Sequence, residues 1–120
     1  MNGIVAGRAF LAAWEEQRPD KIGGLFAEDG VFVNPLHPAP LVGRSTIEAT
    51  ITRGLSVLRD VNIDIETELD QGPLAAITGL FRSVRIDKDT RFDFPFAIIV
   101  EMRGALIVSL REYFDTAPLR

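Results

Sequence analysis

Cysteine is absent from the 120 residues of this chain. Disulfides and thiolate nucleophiles are therefore excluded, and a reducing cytoplasm is the plain expectation of compartment. Histidine occurs once, as His37, and no HExxH-type pattern is present. That leaves too few ligands for a zinc site, so no metal and no other cofactor is expected. Positive charge is scarce as well: 13 Lys and Arg against 17 Asp and Glu give a net charge of −4. A surface of that sign does not track phosphates, which argues against nucleic acid as a partner. Long apolar runs are also missing. The segment MNGIVAGRAFLAAWEEQRPDK reaches Glu15 and Glu16 before it could cross a bilayer, and it lacks the basic start of a signal peptide. No membrane span is expected, and there is no internal repeat, linker or low-complexity segment.

What is present is an ordinary globular balance, 47% hydrophobic and 25% charged. The length suits one core, hence one domain over residues 1–120. Apolar residues from Ile4 to Trp14 recur at helical spacing, with Phe10 and Trp14 on one face, and Pro19 ends that helix. A short second helix starts at Asp20, Asp29-Gly30 reads as a turn, and Val31–Asn34 reads as a short strand. After a proline loop, STIE from Ser45 fits a capping box that opens a third helix to about Leu58. From Val61 the period changes to two, and strands are expected over VNIDIETEL, LAAITGLFRSVRI, RFDFPFAIIVEM and LIVSLREYFD.

Helices first and antiparallel strands second predict an α+β fold, a curved sheet with three helices closing a conical hollow. Its wall would be strand residues of one parity and the inner face of the first helix. Phe10, Trp14, Phe32, Leu80, Pro95, Ala97, Leu110 and Phe114 are the expected lining, with His37 over the mouth. A lone loop histidine is more simply solvated. Such a lining makes a small hydrophobic molecule the natural guest.

This order of elements resembles the nuclear transport factor 2-like superfamily, which includes ketosteroid isomerases, SnoaL-like polyketide cyclases and limonene-1,2-epoxide hydrolase. FLAAWEEQRPDKIGGLFAEDGVFVNP and PFAIIVEMRGALIVSLREYF are similar to the opening and the last two strands of the isomerases. The resemblance places Phe10, Asn34 and Ala97 where those enzymes carry a tyrosine, the shuttle aspartate and a second aspartic acid. None of the three can supply the isomerase's chemistry, so that activity is disfavoured. NPLHPAPLVGRSTIE and REYFD are similar to the epoxide hydrolase. That likeness implies Glu112 as the base and Asn34 as a holder of water or substrate. It also puts Phe32 in place of a tyrosine, and Leu80 and Arg82 in place of its Arg-x-Asp pair. The superfamily further implies a homodimer.

The residues themselves support the same short list. In LIVSLREYF, Glu112 shares its parity with Leu106, Val108, Leu110 and Phe114. An unpaired carboxylate on an apolar strand face is costly, so it needs a partner, a proton or a wet cavity. Arg82, flanked by Leu80 and Val84, could pair with Glu112 or Asp93 as a structural plug, or stabilise negative charge on a substrate. Asn34 before a proline is by default a turn residue. It bears on chemistry only if Glu112 points at it. Ile98, Val100, Ile107 and Tyr113 are expected on the opposite face, covered by a second subunit. Two functions stay open. One is a small-molecule enzyme with Glu112 as base, Asn34 orienting and Arg82 stabilising charge. The other is a non-catalytic ligand-binding or dimerisation domain.

Overall fold

A computed structural model describes residues 2–120. The order is α1 (Gly3–Glu15), α2 (Pro19–Gly23), β1 (Phe26–Val33), β2 (Leu41–Val42), α3 (Arg44–Leu55), β3 (Leu58–Gln71), β4 (Leu74–Arg85), β5 (Thr90–Arg103) and β6 (Leu106–Phe114). A 3-10 turn over Ala117–Leu119 follows. The strands form one curved sheet in the order β2-β1-β6-β5-β4-β3. It is antiparallel throughout except where β1 lies parallel to β6. The α+β cone with three helices is thus present, with one parallel pairing that the strand pattern does not reveal.

Each helix starts for a local reason. Asn2 caps α1, its side-chain oxygen accepting from Val5 N at 2.9 Å. Pro19 sits at the first position of α2, where a missing N–H costs nothing. The helix α3 begins at Arg44, and its N-cap is Gly43 at φ 98°, with no side-chain cap. The expected capping box at Ser45 is therefore not formed, because the positive-φ turn at Gly43 enters the helix two residues earlier. The helix also ends at Leu55, before the expected Leu58, because Leu58 is already in β3. Likewise β1 runs through Asp29-Gly30 with an irregularity in its pairing rather than turning there.

The core is one cluster between the helices and the concave face of the sheet, with Phe10, Phe26, Phe32, Ile77, Ile98 and Leu110 almost fully enclosed. On β4 the inward residues are Ala75, Ile77, Gly79, Phe81 and Ser83, and on β5 they are Phe94, Phe96, Ile98 and Val100. This reverses part of the expected parity. Leu80, Pro95 and Ala97 lie on the outer face, while Ile98, Val100 and Ile107 are core. Both faces of these strands are apolar, so period two alone does not say which face turns inward. On β6 a bulge opposite Glu101 and Met102 changes the phase, so Ile107, Leu110, Glu112 and Phe114 point inward, and Leu106 and Val108 are only half-buried.

Gly79 is where β3 bends across β4. A Cβ there would overlap the Asp64 carbonyl oxygen and come within 3.0 Å of the Phe96 ring. The first obstacle is backbone and cannot turn aside. We expect Gly79→Ala to lose about 2–3 kcal/mol or more in urea unfolding, the upper range for overpacking. An unchanged midpoint would mean that the β3 bend is not fixed by this contact.

Candidate active site

The parallel pairing of β1 and β6 puts Val33 opposite Arg111, so the next residue on each strand, Asn34 and Glu112, come side by side. Asn34 Nδ2 donates to Glu112 Oε1 at 2.7 Å. The orientation of that amide is fixed independently. Asn34 Oδ1 accepts from Leu36 N at 2.8 Å, an Asx turn across Pro35, which leaves the NH2 group for Glu112. The backbone adds a second clasp, His37 N donating to Asn34 O at 3.0 Å. The pair is thus held by the turn that opens the proline loop.

Both side chains open onto a hollow of about 270 Å³, whose wall includes Trp14, Phe81, Phe92, Phe94 and Phe114. The phenylalanines come from three strands and stack across them. Phe81 and Phe94 are 4.9 Å apart at 11°, and Phe94 and Phe114 are 4.4 Å apart at 20°. Trp14 stands edge-on to Phe10 and Phe81, and its buried indole N–H has no hydrogen-bond partner. Arg85 is the one cation in the lining. It is already committed, donating to the Leu119 carbonyl at 2.8 Å and to both oxygens of Asp87.

In this setting burial pushes the Glu112 carboxyl up to about 7, and the hydrogen bond from Asn34 opposes the rise. No other hydrogen bond reaches Glu112 among the described residues. Glu112 therefore carries one oxygen held by Asn34 and one facing the hollow, and near neutral pH it is split between its acid and carboxylate forms.

The other sequence candidates are placed differently. Arg82 is exposed on the outer face and pairs with Asp64 of β3. It pairs with neither Glu112 nor Asp93, although Asp93 is its register partner on β5. The β4–β5 hairpin pairs Arg85 with Thr90, two residues wider than the Asp87–Thr90 pairing expected across DKDT, which would have set Arg82 opposite Pro95. Phe10, Phe32 and Leu110 belong to the packed core rather than to the cavity wall, and Leu80, Pro95 and Ala97 lie outside the cone. Of the expected lining, Trp14 and Phe114 border the hollow, and His37 does not. Phe81, Phe92, Phe94, Leu36 and Arg85 also border it, and Gly54, Val57, Leu58 and Leu119 complete the wall. The strands that carry the three phenylalanines were legible in the sequence, but their cavity-facing parity was not. Among the described residues no cluster of His, Asp or Glu could hold a metal ion, and no helix is long and apolar enough to cross a membrane.

The profile of the SnoaL-like domain matches residues 7–110. No curated protein matches the sequence. Among solved structures, the chain is similar to a protein of ketosteroid isomerase-like fold from Catenulispora acidiphila, in complex with trimethylamine. The identity is 26% and the TM-score 0.85, covering 94% of this chain and 87% of that one. A protein assigned as a SnoaL-like polyketide cyclase from Shewanella denitrificans shares 14% identity at TM-score 0.83, covering 95% and 90%. A limonene epoxide hydrolase-like (LEH-like) epoxide hydrolase of M. tuberculosis shares 19% at TM-score 0.79, covering 96% and 84%. At these last two identities the likeness shows the fold alone.

The shift of Glu112 has a sign for stability. The folded state holds the proton more tightly than the unfolded chain, whose carboxyl titrates near 4.5. Stability from this group is therefore full below about pH 4.5 and falls as pH rises through about 7, by at most roughly 3 kcal/mol. Glu112→Gln should flatten that slope and be the more stable protein at pH 8, as read by urea unfolding at pH 5 and 8. Equal slopes in the two proteins would show that the carboxyl is not desolvated.

Proposed function

The chain belongs to the SnoaL-like domain family, and on that premise we propose that its aromatic hollow is the active site of a cofactor-independent small-molecule enzyme in which Glu112 moves a proton. The observation that carries this is the Glu112–Asn34 pair at the wall of an otherwise apolar cavity. A base works best when its pKa lies near the working pH, and burial supplies that here. In the carboxylate form Glu112 takes a proton from a carbon next to a carbonyl. The electron pair of that C–H bond becomes the enolate, and the carboxylic acid so formed returns the proton to carbon or oxygen. Asn34 acts as a positioning residue, aiming one oxygen and easing ionisation of the other. This is the chemistry of isomerases and cyclases. The two-acid scheme of an epoxide hydrolase gains no support, because Arg82 lies outside the cone.

A second reading, a binding site for a small molecule without turnover, is favoured by the trimethylamine complex of the relative from C. acidiphila. One experiment separates the two. Exchange of the α-protons of 2-tetralone in deuterium oxide, followed by NMR, should be accelerated by the protein and lost at least a hundredfold in Glu112→Gln. Asn34→Ala should keep exchange but move its rise to higher pH, since the hydrogen bond that favours the carboxylate is gone. Arg82→Ala should change nothing. Acceleration that survives Glu112→Gln, or binding with no exchange, would falsify the enzymatic reading.

We further propose that two copies associate through the outer face of the central strands. The support is its composition: Leu80, Ala97 and Ile99 are half-buried, and Pro95 and Tyr113 are exposed beside them. Sedimentation should report a dimer, and Ala97→Arg should give a folded monomer. A monomeric wild-type protein at micromolar concentration would end this proposal.

A further inference from the structure

The hollow is short. An apolar cavity of about 150 Å³ holds one benzene ring, and this one, at about 270 Å³, is less than twice that. Its depth is limited by side chains that the sequence would have allowed to line it. Phe10, Phe26 and Phe32 stand edge-to-face at 6.1–6.4 Å from one another behind Trp14, each at most 2% exposed, and they fill the narrow end of the cone. A guest therefore occupies only the wide end, between Trp14 and the stacked phenylalanines.

The hollow is also unsuited to ions of either sign. An anion would need a free cation, and the guanidinium of Arg85 is shared between the Leu119 carbonyl and Asp87. An ammonium group would seek aromatic faces. In the run Phe81, Phe94, Phe114 the faces are turned on one another at 4.4–4.9 Å. It could still seek Glu112, but the only other charged or amide side chains of the lining are Arg85, a cation, and Asn34, whose oxygen already accepts from Leu36 N, so an ammonium group would be left underpaired in an otherwise apolar wall.

From this geometry we infer that the guest is an uncharged ketone of one or two rings, and not a tetracycle. The ketone rests on the proton-transfer reading of Glu112, whereas the limits of size and charge rest on the cavity alone. A flat ring slides against the phenylalanine wall with its carbonyl side towards Glu112 and Asn34.

Trp14 is the only tryptophan of the chain and borders the hollow, so its fluorescence reports occupancy. The intact protein is titrated at pH 7 with 2-tetralone, with 2-naphthoate as the anionic isostere, with 2-aminotetralin as the cationic one, and with progesterone as a tetracycle. Calorimetry checks each affinity. 2-Tetralone should bind at least tenfold more tightly than each of the other three. Progesterone binding as tightly as 2-tetralone overturns the size limit. Either ion binding as tightly overturns the limit of charge, and no binding by any probe overturns both. Glu112→Gln keeps the two claims apart. Tight binding of 2-tetralone with no Glu112-dependent exchange removes the proton-transfer reading and leaves the size and charge limits standing.

Discussion

The parallel contact between β1 and β6 is the constraint on which the rest depends. Every other neighbouring pair in the sheet is antiparallel, and the hairpins among β3, β4, β5 and β6 follow from short turns. A parallel pairing needs a long crossover, and here most of the chain supplies it. It joins Asn34 to Glu112, which are 78 positions apart. It also closes one side of the cone. Without it there would be an open meander and a solvated carboxylate, with neither cavity nor perturbed acid.

Around that contact the energetics are divided by region. The narrow end is a conventional core in which Phe10, Phe26 and Phe32 exclude water and each other's motion. The wide end keeps a hollow because its wall is built from rings stacked side by side, which are satisfied by their neighbours and do not collapse across the gap. A carboxyl placed at this boundary is caught between two demands. Enclosure favours its neutral form, and the single hydrogen bond from Asn34 favours its charge. The result is a group able to hold or give up a proton near neutrality, which a fully solvated or a fully paired glutamate is not. Apart from Arg85–Asp87 at the wall of the hollow, the ion pairs among the described residues are elsewhere, on exposed surfaces such as Arg8–Glu68 and Arg103–Asp29, and contribute little.

Some features were legible before any coordinates. The helical spacing of Phe10 and Trp14, the change to period two at Val61, and the charge of Glu112 on an apolar strand are local patterns, and each is set by residues within one element. The errors have a common physical source. Strands β4 and β5 carry apolar residues on both faces, so Leu80 and Ala97 were as plausible inside as Phe81 and Ile98. A two-residue difference in the β4–β5 turn and a bulge in β6 then decided which residues met. Arg82 illustrates the outcome: it stands between apolar neighbours in sequence, and it is exposed because its parity on β4 faces the outside of the sheet rather than the cone.

The sequence by itself determined the class of fold and the absence of thiol chemistry, since composition and periodicity act through local sterics and hydrophobic patterning, and with the family resemblance it marked three polar residues, Glu112, Asn34 and Arg82. Only the tertiary structure decided that Asn34 and Glu112 touch, that Arg82 is far from them, and that the narrow end is filled. Those facts depend on register, bulges and one parallel pairing, and each is a competition between distant segments that no local pattern encodes.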